Sequence, residues 1–225
     1  MINRLTAEAL GTAGLVVVIV GSGIRSEGTS SVQLFHHAVV VGGALAVLIA
    51  TLGPVSAAHF NPAVTTLEAL FGGVPVKVAL AYIGAQVGGA MAGVVGGNLL
   101  FGLPAVSVAT TTRSGLRLAV SEVVATLGLL VVIFGLKRSG KPEAIAVAAG
   151  GWVAAAMYFT PSTSFANPAV TIARAFTDTY TGISASSLSG FLLAQLVAVP
   201  LGAILISWLF PGTTTAATAP RKEMQ

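Results

Sequence analysis

Six long apolar runs limit what this chain of 225 residues can fold into. They cover residues 5–24, 35–52, 76–101, 116–136, 145–159 and 188–210. A helix needs about 20 apolar residues to cross the hydrocarbon core of a bilayer, and most of the runs are close to that length or longer. The fifth run is short, and we predict that its helix begins near Pro142. The sequence therefore predicts an all-α membrane protein with six membrane-crossing helices.

The composition excludes several other classes of protein. Apolar residues make up 55 % of the chain and charged residues only 8 %, whereas typical soluble domains are about 25 % charged. A soluble enzyme, a nucleic-acid-binding protein and a disordered protein are all excluded by this balance. The chain has no cysteine, and its three histidines, His36, His37 and His59, lack the spacing of a metal site. We therefore predict no cofactor, no metal and no nucleic-acid partner.

The distribution of positive charge predicts the orientation in the membrane. If both termini are cytoplasmic, seven Lys and Arg residues lie on the inner side and four on the outer side. Cytoplasmic loops of membrane proteins collect Lys and Arg. We therefore expect a multi-pass protein of the inner (plasma) membrane with both termini in the cytoplasm. The Thr- and Ala-rich tail at 212–225 is predicted to be disordered.

The chain consists of two related halves, at about 5–101 and 116–210. Three motifs recur, namely Glu-x-x-x-Thr at 8–12 and 122–126, Asn-Pro-Ala-Val-Thr at 61–65 and 167–171, and Ala-Gln at 85–86 and 194–195. Each half contains three of the apolar runs. Because three is odd, the second half enters the membrane from the opposite side, which defines an inverted repeat.

Each Asn-Pro-Ala box begins a segment that is too short to cross the membrane. Residues 62–71 and 168–177 would rise about 15 Å as helices, half of the roughly 30 Å core. Asn is a favoured N-cap and Pro a favoured first helical residue. We therefore predict two re-entrant half-helices that enter from opposite sides and meet near the midplane at Asn61 and Asn167.

The meeting of two helix N-termini has a chemical consequence. Their partial positive charges and the two asparagine amides would point at one place. Such a centre repels cations and orients a passing water by its oxygen, which interrupts a proton wire. The pattern therefore indicates passage of small neutral molecules without ions.

Taken together, these motifs resemble those of the aquaporin (major intrinsic protein) family, and the resemblance covers nearly the whole chain. It implies six tilted helices plus two half-helices, arranged as a single channel domain over 1–225. It also implies a pore in each subunit and a homotetramer in the lipid bilayer.

Glu8 and Glu122 lie inside predicted membrane helices, where ionisable residues are costly. One interpretation is a proton-coupled transporter in which a glutamate titrates. The other is structural, with each buried carboxylate accepting hydrogen bonds from loop N–H groups. The resemblance favours the second. His59, beside the first box, lines the inner vestibule or has a structural role in its loop.

The resemblance also implies which residues form the selectivity filter. The family usually carries Arg three residues after the second box asparagine, and this chain has Val170 there. Counting along the chain gives Val41, Ala155 (or Ala156) and Ser164 for the other positions. These four residues would make a wide, weakly polar filter, which implies passage of glycerol, urea or neutral metalloid hydroxides such as arsenous acid, together with water. A water-selective channel and a channel-like protein with a closed pore remain alternatives.

Arg174 follows Val170 by four residues, so it lies on about the same helix face one turn further out. Two interpretations stay open at this point. Its side chain either reaches over the outer vestibule of the pore, or it points to the surface and pairs with Asp178.

Overall fold

The computed structural model describes residues 1–26 and 30–211, and the predicted disordered tail at 212–225 lies outside the described residues. Within these two ranges the chain is helical and has no β-strand. Six of the helices are long and apolar enough to cross a membrane. The fold class predicted from the sequence, an all-α protein with six membrane helices and two half-helices, is confirmed.

The helices follow the order of the predicted segments. They are α1 (Ile2–Arg25), α2 (Ser31–Ser56), α3 (Pro62–Leu70), α4 (Val76–Leu100), α5 (Leu116–Arg138), α6 (Ile145–Phe159), α7 (Pro168–Ala173) and α8 (Ala185–Leu209). Two 3₁₀ turns, Pro142–Ala144 and Arg174–Phe176, precede α6 and follow α7. The half-helices are α3 and α7.

Several helix ends differ from the predicted limits for local reasons. Helix α2 begins at Ser31 instead of 35, because Ser30 and Gln33 form a capping box around its first turn. It continues past 52 and through Pro54 before it ends at Ser56. The α-helical part of the second half-helix ends at Ala173, so it is shorter than predicted, and the chain continues as a 3₁₀ turn.

Glycines on α4 allow close packing against α1. A Cβ on Gly89 would lie 2.2 Å from the carbonyl oxygen of Ala9, and one on Gly93 would lie 2.5 Å from that of Ala13. Small residues at this spacing let two helix backbones approach closely. Gly88, on another face of α4, has no atom within 4 Å of an added Cβ. Only one stripe of the small residues in α4 therefore serves this contact.

The two halves of the chain meet at the crossing of α2 and α6. A Cβ on Gly42 would lie 2.4 Å from the carbonyl oxygen of Gly150, and one on Gly150 would lie 2.3 Å from that of Gly42. Helix α5 packs along α8 in the second half as α1 packs along α4 in the first. The half-helices are buried between the halves, α7 against α4 and α8, and α3 against α8 and α4.

Candidate functional site

The N-termini of the two half-helices meet through their asparagines. Asn61 Nδ2 donates a hydrogen bond of 2.7 Å to the carbonyl oxygen of Ala166, and Asn167 Nδ2 donates one of 2.8 Å to the carbonyl oxygen of Phe60. Each Oδ1 accepts from the N–H two residues further on, at 2.9 and 3.0 Å, and so caps its own helix. The structure thus brings Asn61 and Asn167 together, each bound to the loop that precedes the other.

Glu8 holds the loop before the first half-helix. Its carboxylate accepts hydrogen bonds from the N–H groups of His59, at 3.0 Å, and Phe60, at 2.8 Å. It also accepts from the Ser56 hydroxyl at 2.6 Å and from the Gln86 amide at 2.7 Å. Glu8 is fully buried in α1, so these four donors replace the water that the carboxylate lacks.

Glu122 occupies the corresponding place in the second half. It accepts from the N–H groups of Phe165 and Ala166, each at 2.9 Å, and from the Gln195 amide at 2.7 Å. Gln195 also donates to Thr171 at 2.9 Å. Both glutamates therefore have the hydrogen-bonded arrangement of the structural interpretation. The repeat of the Ala-Gln dipeptides alone indicates no role, and in the structure each glutamine donates hydrogen bonds to the glutamate and to the box threonine of its own half.

The loops before the two half-helices have an unusual backbone conformation. Six of their residues that are not glycine have positive φ, namely Ala57, Ala58, Phe60, Thr163, Ser164 and Ala166. This conformation is costly for residues with a Cβ. The glutamates stabilise it, because they accept hydrogen bonds from the N–H groups of these loops. Residues of both loops line a central cavity.

A cavity of about 560 Å³ runs past the two asparagines. The residues that line it on the side of the first half-helix include His59, Val64, Glu68, Lys137 and Glu143. Those that line it on the other side of the asparagines include Val41, Val153, Met157, Ser164, Val170 and Arg174. The wall between the charged groups at the two ends is largely apolar.

Three of the four residues assigned to the filter line this cavity, and the fourth does not. Val41, Ser164 and Val170 are buried and face it. Ala155 is exposed on the outside of α6, and the alternative Ala156 is buried in an apolar cluster and does not itself line the cavity. Val153 and Met157 line the cavity from α6 instead. Counting back through a loop misplaced this position, because a shift of two residues turns a helical side chain by about 200°.

Arg174 lines the cavity and is only 4 % exposed. Its Nε donates to the carbonyl oxygen of Thr181, and its guanidinium carbon lies 3.3 Å from the centre of the Phe165 ring. Asp178 accepts instead from the N–H and hydroxyl of Thr110, at 2.9 and 3.0 Å. Arg174 therefore lies in the wall of the cavity and does not pair with Asp178, which binds Thr110.

Arg113 is a second, half-buried arginine beside Phe165, and no sequence motif marks it. Its guanidinium carbon lies 5.5 Å from the centre of that ring. Its Nε and Nη2 donate to the carbonyl oxygens of Gly182 and Tyr180, both at 2.9 Å. Burial lowers the pKa of Arg113 below its ordinary value, although arginine stays protonated in proteins. Both arginines are thus bound by the carbonyls of one loop, at 180–182.

The end of the cavity beside the first half-helix carries an ion pair. Lys137 Nζ lies 2.5 Å from Glu68 Oε1, and the lysine side chain is 51 % exposed while that of the glutamate is 8 % exposed. His59 lies nearby, with Nδ1 at 3.1 Å from the Thr65 hydroxyl and its ring edge-on to Tyr82. His59 lines the cavity and its ring also contacts Thr65 and Tyr82. Its position is therefore compatible with both a vestibule role and a structural role.

Comparisons with known proteins agree with this architecture. A family model described as Major intrinsic protein matches residues 1–142. The chain is 41 % identical over 210 residues to aquaglyceroporin AqpS of Rhizobium meliloti, covering 92 % of this chain and 90 % of that protein. It is 33 % identical over 157 residues to the glycerol uptake facilitator protein of Streptococcus pneumoniae, covering 60 % and 65 %. The fold resembles the X-ray structure of the aquaglyceroporin from Plasmodium falciparum, with a TM-score of 0.68, 18 % identity and coverage of 93 % and 95 %.

Six membrane helices with two half-helices that meet beside a central cavity define a membrane channel. The chain belongs to the major intrinsic protein family, the aquaporins and aquaglyceroporins, whose members are channels for small solutes and not enzymes. The resemblance stated from the sequence motifs is confirmed.

Proposed function

We propose that this protein is a passive channel for small uncharged solutes, namely glycerol, urea or neutral metalloid hydroxides such as arsenous acid, and for water. The observation that carries the proposal is the wall of the outer lumen. The side chains in this part of the wall are apolar and belong to Val41, Val153, Met157 and Val170. Val170 stands where the family usually has arginine.

A filter of this kind lowers the steric barrier to solutes larger than water. Valine at 170 is shorter than arginine and carries no donors, so it neither narrows the lumen nor binds water tightly. Ser164 contributes a small side chain on the same level. Both features favour solutes of the size of glycerol over strict selection of water. The names of the relatives, an aquaglyceroporin and a glycerol uptake facilitator, support the same substrate class.

The centre of the lumen supports exclusion of ions. The N-termini of α3 and α7 bring two partial positive charges to Asn61 and Asn167, which opposes the entry of cations. We assign His59 to the inner vestibule and Arg174 to the outer vestibule. We further propose that the channel is a homotetramer in the inner membrane, with both termini in the cytoplasm.

Proton-coupled transport is the weaker candidate. Glu8 and Glu122 would have to titrate during each cycle, but their oxygens accept hydrogen bonds from loop N–H groups and glutamine amides. Protonation would remove acceptors that hold the loops before both half-helices. Their contacts are therefore those of structural groups.

A flux panel on proteoliposomes tests the proposal. Stopped-flow light scattering would compare water, glycerol and urea, and arsenous acid uptake would be measured by elemental analysis, each against protein-free liposomes. We expect all four fluxes to rise linearly with the gradient. Flux of water alone would identify a water-selective channel, saturable uptake driven by a pH gradient would identify a transporter, and no flux would identify a closed pore.

A further inference from the structure

The two half-helices carry charged residues at corresponding positions. Glu68 is the seventh residue after Asn61, and Arg174 is the seventh residue after Asn167. Both residues are buried and both line the cavity, Glu68 towards the inner end and Arg174 towards the outer end. The inverted repeat thus places opposite charges on the wall at the two ends of one lumen.

These two charges differ in how they are compensated. Glu68 forms an ion pair with Lys137. In the part of the chain that the structure describes, Arg174 contacts a carbonyl oxygen and an aromatic ring, and no carboxylate lies within ion-pair distance of it. The positive charge therefore acts on the outer lumen, while the negative charge is largely neutralised within the protein.

The position of Arg174 is fixed by its surroundings. One face of the guanidinium lies against Phe165, Nε is bound to the carbonyl oxygen of Thr181, and the Arg174 carbonyl accepts from the Ile183 N–H at 3.2 Å. The Thr181 side chain in turn lies against Gly23 of α1, where an added Cβ would be 2.2 Å from it. A donor held in this way loses little conformational freedom when a solute binds.

The loop that binds Arg174 is itself held by a series of hydrogen bonds between threonine hydroxyl groups. Thr177 donates to Asn98 on α4 at 2.7 Å, and hydrogen bonds of 3.3 and 3.1 Å join Thr177 to Thr179 and Thr179 to Thr181. This series of hydrogen bonds connects α4 to Thr181, whose carbonyl oxygen binds Arg174. Residues from several elements of the fold therefore hold Arg174 in place.

We propose that Arg174 is the specificity-determining donor of this channel, which deepens the proposed function and rests on it. The Nη groups have no protein acceptor among the described residues, and they provide a subsite for the oxygen atoms of neutral solutes. The same charge repels cations. Arg174 lies four residues beyond Val170, about 6 Å along a helix, so the positive charge stands further out along the half-helix than Val170, where the family usually has its arginine.

The physical reason for an effect on flux is desolvation. A polyol that enters the apolar level at Val41, Met157 and Val170 loses hydrogen bonds to water, and a donor on the wall replaces part of them. Water is less affected because it can remain bonded to neighbouring waters in a wide lumen. Loss of Arg174 should therefore slow glycerol more than water and should ease the entry of cations.

Three variants test this inference in proteoliposomes. Arg174→Met keeps an unbranched apolar side chain beside Phe165, although a shorter one, and removes donors and charge. Arg174→Lys keeps the charge without the planar fork. Arg117→Met, at an exposed position on α5, removes an arginine from the surface and serves as the matched control.

We expect Arg174→Met to lower glycerol permeability about tenfold, the loss of about one charged hydrogen bond, with water changed less than twofold. Methylammonium flux should rise in the same variant. Arg174→Lys should keep methylammonium out but recover glycerol only in part, and Arg117→Met should match the wild type in every flux.

Unchanged glycerol and methylammonium fluxes in Arg174→Met, in a sample with the elution profile and thermal stability of the wild type, would overturn the inference. If that variant loses stability, Arg174→Lys decides, because a full recovery of glycerol flux would exclude a role for the planar donors. Failure of the wild type to conduct glycerol would instead contradict the proposed function.

Discussion

At the scale of single residues, the polarity and charge of the lumen wall depend on side chains that lie one helical turn apart. Val170 and Arg174 both line the cavity from the second half-helix and the turn that follows it, and Val64 and Glu68 do so from the first. The boxes are identical from Asn to Thr, so the two half-helices differ in chemistry only at the residues after the boxes. Substitutions at these positions should alter selectivity more than stability.

An arginine in place of Val170 should make the filter more selective for water over larger solutes. Val170→Arg places a long charged side chain at a buried position beside Val41 and Met157, so we expect glycerol and arsenous acid permeability to fall at least tenfold and water permeability to fall less. Stopped-flow and uptake assays on proteoliposomes measure both. Val170→Leu, which adds bulk without charge, is the control. Unchanged glycerol flux in Val170→Arg would mean that the constriction lies elsewhere.

Glu122 should matter for stability more than for the chemistry of transport. Glu122→Gln replaces a carboxylate that accepts two loop N–H groups and the Gln195 amide, and leaves a buried amide donor facing other donors. We expect a loss of about 3 kcal/mol, seen as a lower midpoint of thermal unfolding in detergent. Glu143→Gln, at an exposed position, should change the midpoint little. Equal midpoints in the two variants would show that the hydrogen bonds of Glu122 do not stabilise the fold.

At the scale of elements, the spacing of helices is set by which glycine faces a neighbour. Gly88 and Gly89 are adjacent on α4 and indistinguishable by type, yet only Gly89 meets another backbone. The same holds for Gly42 and Gly43 on α2, where Gly43 has open space beyond it. Sequence alone assigns small residues to helix packing, and the structure decides which of them carry it.

Replacing Gly88 and Gly89 by alanine, one at a time, measures how much the close contact between α1 and α4 contributes to stability. In Gly89→Ala the new Cβ would lie 2.2 Å from the Ala9 carbonyl oxygen, so α1 and α4 must separate. We expect a loss of 1–3 kcal/mol, about the cost of overpacking, and a lower yield of folded protein. Gly88→Ala adds the same methyl group to open space and should be neutral or slightly stabilising. Equal midpoints for the two variants in thermal unfolding would contradict the packing assigned to this crossing.

At the scale of the whole molecule, the inverted repeat lets each half supply one of the two half-helices. Helices α1, α2 and α4 pack with α7, while α5 and α8 pack with α3. The proposed orientation of this arrangement in the membrane rests on the loops, because Lys137, Arg138 and Lys141 cluster between α5 and α6. The proposed topology puts this cluster in the cytoplasm.

The absence of cysteine makes the topology directly testable. Ser139→Cys lies in the loop between α5 and α6, and Thr112→Cys lies in the loop between α4 and α5, and both positions are exposed. In intact spheroplasts we expect a membrane-impermeant maleimide to label Thr112→Cys and not Ser139→Cys, with both labelled after permeabilisation. The reverse pattern would place the termini outside. The cysteine-free parent chain is the blank.

The number of membrane helices, the two half-helices and the central asparagines could be predicted from the sequence, because they follow from local properties. Apolar length defines a span, Asn before Pro defines a helix start, and the recurrence of motifs defines the inverted repeat. Glu8 and Glu122 could be predicted as well, since a lone carboxylate inside a span needs donors and the repeat offers the same loop beside each.

The direction in which a side chain points was decided only by the tertiary structure. Each residue along a helix turns the side chain by about 100°, so counting across loops assigned Ala155 to a position that Val153 and Met157 occupy. The partners of Arg174 come from a loop and a ring on other elements, and the role of Glu68 follows from the place where its half-helix is buried. These contacts join residues far apart in the chain, and no local pattern specifies them.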